Sequence, residues 1–234
     1  MRRSAPGRRA DRLIALSDAL VAFGSDGVTP GRRDDVPVRA IVGSASRTAD
    51  FDARFRPRHR DVRARHCPVG STGVPPVKLV QLGELYFVID GHHRIGAAIR
   101  ARLTTVEADV VGIRTIAFAS ACLRPHHLAT KAAERRFLER VPLDHAIRPH
   151  LWLDDPEHWS RLTDAVEAWG FRRALDTRTP TPSREQLAAV WWSDEVLPTV
   201  RRMRSRDPRA GDGQIIASYS WALRLRDRGA SIRP

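Results

Sequence analysis

Five consecutive residues, Asp90-Gly91-His92-His93-Arg94, carry most of the chemistry in this chain. They sit in Tyr86-Phe-Val-Ile-Asp-Gly-His-His-Arg-Ile-Gly-Ala-Ala-Ile-Arg100, which reads as a buried strand that stops at Asp90-Gly91 and turns directly into a helix. A helix start offers unpaired backbone N–H groups and the positive end of a dipole. Glycine lets a ligand approach the backbone, and an arginine fork matches phosphate oxygens. The pattern outlines an anion site, with Gly91, His92, His93 and Arg94 as candidates to hold a nucleotide's phosphates. Asp90, His92 and His93 are the candidates for catalysis; Asp90 is suited to orienting a histidine, to metal binding or to proton transfer. A structural alternative makes Asp90 the helix cap and Gly91 a simple corner. Against it, cations at a helix start are disfavoured without an anion.

Further along, the chemistry thins. Asp50 and Asp52 lie in an arginine-rich stretch after the first expected strand, flanked by Arg47 and Arg54, which are placed to reach phosphates. Cys122, His126 and His127, with His66-Cys67, have passable metal-ligand spacing, but structural zinc sites pair their ligands in tighter sets, so no metal site is expected. The six tryptophans, at 152, 159, 169, 191, 192 and 221, fall in the C-terminal half, where helical context favours core packing over base stacking.

The elements that position these residues follow from periodicity. Asp11 to Phe23 has a helical apolar face, and Gly24 to Gly31 reads as a break. Val36 to Val42 is an expected strand; Val77–Leu82 and Leu85–Ile89 form a hairpin through Gly83-Glu84; Thr105 to Val111 is a returning strand. Gly70-Ser-Thr-Gly73 reads as a turn. Beyond it the pattern is helical: Ala129–Arg140, Pro156–Trp169 ended by Gly170, a helix opened by the Ser183-Arg-Glu-Gln186 capping box, a break near Pro198, a loop at Asp207–Gly213, and Ile215–Arg226. Ser183 to Met203 has room for a helix-turn-helix, though a packed helical pair fits as well. The fold class is α+β. The organisation is a basic arm with one helix over 1–34, a mixed domain over 35–113 and an α-helical domain over 114–234.

Composition bounds the partners. Hydrophobic residues make up 42%, as in soluble globular proteins, and no apolar run is long enough to span a bilayer, so no membrane partner is expected. Residues 1–9 read as a disordered basic arm without a signal core. Two cysteines suit a reducing cytoplasm. The net charge of +13 invites nucleic acid. The only lysines are Lys78 and Lys131, however, and such an arginine bias also follows from a GC-rich genome.

The strand, Asp-Gly-His-His-Arg and alanine-rich helix resemble the ParB/sulfiredoxin-like superfamily. It includes the N-terminal domain of chromosome-partitioning ParB proteins, sulfiredoxins and a free-serine kinase. Val36 to Val42 resembles its opening strand and Pro75-Pro-Val-Lys-Leu-Val80 the strand before the motif, so the resemblance spans residues 35–112. Gly91 and Arg94 match the Gly-x-x-Arg phosphate turn of ParB proteins, and His93-Arg94 the His-Arg of sulfiredoxins. The sulfiredoxin catalytic cysteine falls on His92, which removes that chemistry. Asp-Gly-His is closest to the serine-kinase version, where a carboxylate from about the Asp50–Asp52 part of the fold acts as base. No Glu-Asn-Arg motif follows the turn, so the base of the nucleotide stays open. The C-terminal half resembles the helical extension of some actinobacterial-type ParB-like proteins through Trp191-Trp-Ser-Asp-Glu-Val-Leu-Pro198.

The resemblance implies a nucleotide partner, a nucleoside di- or triphosphate such as CTP, ATP or ADP. It also implies DNA and a homodimer as further partners. Three functions stay open: a ParB-like regulatory or DNA-associated nucleotide-binding protein; a phosphotransferase or nucleotide hydrolase that uses Mg²⁺; and a protein-interaction module with a structural turn.

Overall fold

The computed structural model describes residues 12–59, 75–121, 123–177, 182–206 and 215–227. The arm at 1–9, the turn at Gly70–Gly73, the loop at Asp207–Gly213, and His66, Cys67 and Cys122 lie outside them. The fold is α+β, and the chain divides into two compact units, Met1–Leu128 and Ala129–Pro234.

The first unit is built on a six-stranded mixed sheet. Its elements are β1 (Ile14–Ala15), α1 (Leu16–Phe23), β2 (Gly27–Pro37), β3 (Ile41–Ser44), β4 (Val77–Leu82), β5 (Leu85–Asp90), α2 (His92–Arg100) and β6 (Thr105–Arg114). The strand order is β1-β3-β5-β4-β6-β2. β4 and β5 form the hairpin expected at Gly83-Glu84; β3 runs parallel to β5, and β6 parallel to β4. Alternation along the strands sends side chains to two faces. Leu79, Val88 and Val110 pack with Ile95 of α2 and with Phe51 and Phe55. Val80, Leu85 and Phe87 pack on the other face with Ala19 and Phe23 of α1 and with Ala117, Ala119 and Leu123. Those last three residues hold the stretch after β6 to the sheet, which is why the first unit runs past residue 113.

Three stretches of this unit differ from the sequence expectation. The helix expected over Asp11 to Phe23 begins only at Leu16, because Ile14–Ala15 pairs with β3 as a short strand. The break at Gly24 to Gly31 covers only Gly24–Asp26. From Gly27 the chain is an edge strand paired antiparallel with β6, its register shifting between Thr29 and Arg32. The strand expected over Val36 to Val42 is split by a 3-10 turn at Val38–Ala40, so its two ends belong to opposite sides of the sheet.

The second unit is helical: α3 (Leu128–Arg140, whose first residue belongs to the preceding unit), α4 (Pro156–Thr177), α5 (Arg184–Trp191), α6 (Leu197–Arg206) and α7 (Ile215–Asp227). Phe137, Trp159, Trp191 and Tyr219 meet in its interior, with ring centroids 5.3 Å apart for Phe137–Trp159 and 5.5 Å for Trp191–Tyr219. Ser183 and Gln186 form the reciprocal capping box that opens α5. Gly170 does not end α4. An added Cβ there would lie 2.7 Å from Leu187, so glycine serves a close helix crossing. No turn separates α5 from α6 either, so the room for a helix-turn-helix in Ser183 to Met203 is not used as one. A π turn at Trp192–Val196 joins them, with the Leu197 N–H donating to the Trp192 carbonyl just before Pro198, which has no N–H of its own to give.

Candidate functional site

β5 ends on Asp90, and the chain reverses into α2 through Gly91, whose φ of 104° lies in the left-handed region. Glycine is required twice over, because a Cβ here would also stand 2.6 Å from Val77 Cγ1. Asp90 does not cap the helix. No side chain does, and the first turn of α2 holds no acidic residue.

His92 is buried at 3% exposure, and its Nε2 lies 2.7 Å from Ser44 Oγ at the end of β3. That hydroxyl already accepts the N–H groups of Ser46, at 3.3 Å, and Arg47, at 3.0 Å. Its own proton has two acceptors within reach, the Val88 carbonyl at 3.4 Å and Nε2, and the tautomer of a neutral His92 sets which of them takes it. Burial first, and the Arg47 guanidinium second, push His92 down to about 4, with Asp90 and Asp50 pulling weakly the other way. His92 is thus a neutral tie between the β3 loop and the helix start.

Phe51 completes the group. Its ring stacks on His92 at 5.2 Å and meets His93 edge-on at 5.2 Å. The Arg47 guanidinium lies 5.0 Å from the same ring and bonds Asp50 at 2.7 Å. Arg47, Asp50, Phe51, His92 and His93 therefore gather around the first turn of α2. Arg94 faces elsewhere. Its Nη1 donates to the carbonyls of Pro75 and of Pro76 (3.1 Å), and its Nη2 to Asp90 at 3.0 Å. In this arrangement Arg94 ties the approach to β4 onto α2, and Asp90 is an exposed carboxylate held by that arginine.

Of the two carboxylates flagged in the arginine-rich stretch, Asp50 belongs to the group. Asp52 turns inward on its own loop, accepting the N–H groups of Arg54 and Arg56 at 2.9 and 2.8 Å. Ser44 and Phe51 have no role in the sequence reading. The signal for Ser44 was the run Ser44-Ala-Ser-Arg47 at a strand end, where a serine collects the next N–H groups. Nothing in the sequence marked Phe51 as the partner of two histidines. The rings of His126 and His127 meet edge-on at 4.0 Å, and His127 Nδ1 accepts the Arg124 N–H, an arrangement that caps the start of the 3-10 turn leading into α3. Among the described residues no cluster of His, Cys, Asp and Glu is placed to hold a metal, and no helix is long and apolar enough to cross a membrane. No family model, curated protein or solved structure matches the chain.

Proposed function

We propose that the chain is a ParB-like nucleotide-binding protein, regulatory or DNA-associated, that holds phosphates at the first turn of α2. The observation that carries the reading is the buried Ser44–His92 hydrogen bond. It locks the β3 loop to the helix start, so that Arg47 and His93 flank an uncapped helix N-terminus with no acid in its first turn. A neutral His92 removes one of the charges that would oppose the helix dipole and leaves the cationic contribution to Arg47. On this reading Gly91 gives backbone access, Arg47 and His93 contact phosphate, and Arg94 acts through the fold. CTP, ATP or ADP would supply the phosphates, and Mg²⁺ bound with the nucleotide would neutralise part of their charge.

A second reading, a Mg²⁺-dependent phosphotransferase or nucleotide hydrolase, draws support from Asp50. It bonds Arg47 and also acts on His92, which makes it a candidate to activate an acceptor.

The test is thermal unfolding of the full chain with CTP, ATP, ADP or GTP and Mg²⁺, beside Arg47→Ala and His93→Ala. A ligand at a hundredfold its dissociation constant adds about 2.7 kcal/mol to the stability of the folded state. The expected result is a shift with at least one nucleotide, lost in both variants. Turnover of that nucleotide, abolished by Asp50→Asn, selects the enzyme. DNA binding that weakens steeply with salt selects the DNA-associated protein. No shift with any nucleotide overturns the proposal and leaves a structural corner, the reading that Arg94's internal hydrogen bonds favour.

A further inference from the structure

A second feature of the first unit lies at the other end of α2. The helix has nine residues, which at 1.5 Å each carries the chain about 13 Å away from Gly91. There an open groove of about 670 Å³ runs between the Pro37–Ile41 turn, the Ala53–Arg54 corner and the Ile99–Thr105 stretch. Its volume falls within the range of small-molecule sites. Val38, Ile41, Ile99 and Leu103 supply apolar walls, and Leu103 is 43% exposed within it.

Two cations, Arg39 and Arg54, line the same groove, and both are exposed. Neither pairs with a carboxylate among the described residues. Arg32, Arg33, Arg47, Arg94 and Arg114 of this unit each do. Guanidinium groups left without an acid beside an apolar wall are suited to an anionic group carried on an apolar body.

The corner that presents Arg54 is held against local preference. Phe55 has a φ of 54°, an outlier for a bulky residue. The loop around it is fixed by the Asp52 carboxylate, by the Phe55 N–H to Asp52 carbonyl bond of 2.9 Å and by complete burial of the Phe55 ring. Strain of this kind persists where the surroundings over-determine it, and it clusters at binding sites. The carbonyl end of α2 would by itself repel an anion. Here Arg102 N–H bonds the Ile99 carbonyl and Leu103 N–H the Ala98 carbonyl, so part of that end is already satisfied.

We propose that this groove binds a small molecule with an apolar body and an anionic head, the body against Ile99 and Leu103 and the head between Arg39 and Arg54. The site is independent of the phosphate reading at the other end of the helix.

The experiment is calorimetric titration of the full chain with octyl phosphate, octanoate, inorganic phosphate and octanol, all below micelle formation. Amide NMR locates the response. One octyl anion binds per chain, shifting Ile99, Leu103 and Arg54, and at least about tenfold more tightly than inorganic phosphate or octanol, since each half lacks the other's contacts. Binding by octyl phosphate alone assigns a phosphate head; binding by both octyl anions assigns any compact anion. Arg39→Gln with Arg54→Gln, and separately the surface change Leu103→Asp, each weaken binding by about tenfold or more. His93→Ala leaves it unchanged. The proposal is overturned if neither octyl anion binds the folded chain, if uptake does not saturate at one per chain, if inorganic phosphate binds equally well, or if both groove variants bind like the parent.

Discussion

Lys131 and Glu134 of α3 form an ion pair at 2.7 Å with both side chains 1% exposed, and the Lys131 ammonium also lies 4.9 Å from the centre of the Trp152 ring. Glu134→Gln keeps the shape and removes the charge. At an effective dielectric of about 20, opposite charges at this 2.7 Å separation attract by roughly 6 kcal/mol. The ring face recovers up to about 2 kcal/mol for a desolvated cation. The remainder matches the 3–5 kcal/mol typical of orphaning one partner of a buried pair, and we expect that loss, about 3–5 kcal/mol, for Glu134→Gln. Replacing both groups, Lys131→Met with Glu134→Leu, should return stability to within about 1 kcal/mol of the parent or above it, because neither charge is then stranded. The assay is built into the chain. All six tryptophans lie in the second unit, so urea unfolding followed by tryptophan fluorescence reads that unit directly. With a slope of about 1–2 kcal/mol per molar urea, the midpoint for Glu134→Gln should fall by about 1.5–5 M. A loss under about 1 kcal/mol in Glu134→Gln would refute the reasoning, since it would mean that water already reaches the pair.

Three other outcomes follow from the first unit. The His92 ring takes its proton near 4 when folded and near 6.5 when unfolded, so between those values the unfolded chain binds more protons. Stability should therefore fall as pH drops from 6.5 to 4, by about 3 kcal/mol in all, and this component should vanish in His92→Leu; an NMR midpoint for the ring near 6.5 would refute it. Gly91→Ala should cost about 2–4 kcal/mol, combining left-handed strain with the contact on Val77. Chemical denaturation read by circular dichroism checks it, and a cost under about 1 kcal/mol would mean that the turn relaxes freely. Arg102, with φ 57°, is the left-handed residue that closes α2; Arg102→Gly should raise stability by up to about 1 kcal/mol in the same assay, and a loss would count against this account.

The parts of the fold visible in the sequence are those governed by local rules. The β4–β5 hairpin, the turn at Gly91 and the Ser183 capping box each need only a few neighbouring residues of the right kind. The parts that escaped depend on partners distant in sequence. β2 carries Thr-Pro-Gly and then Arg-Arg-Asp-Asp, with no alternation to mark a strand; β6 supplies its hydrogen bonds. Gly170 looks like a helix stop until Leu187 is known to press against it. The candidate site divides in the same way. Gly91, His92 and His93 were visible as a cationic helix start. Ser44, 48 residues before His92, and the diversion of Arg94 to the Pro75 and Pro76 carbonyls were not. A donor's partner is set by the tertiary path of the chain, which residue type alone does not encode.

The two margins of the sheet have a consequence for self-association. β1 offers two residues, too short a template for another strand. β2 offers eleven, but Pro30 has no N–H to give, the register slips beside it, and Arg32, Arg33, Asp34 and Asp35 line the rim with two positive and then two negative charges. Such features frustrate the edge-to-edge docking that seeds aggregation and fibril growth. Two copies of this chain are thus discouraged from extending one continuous sheet.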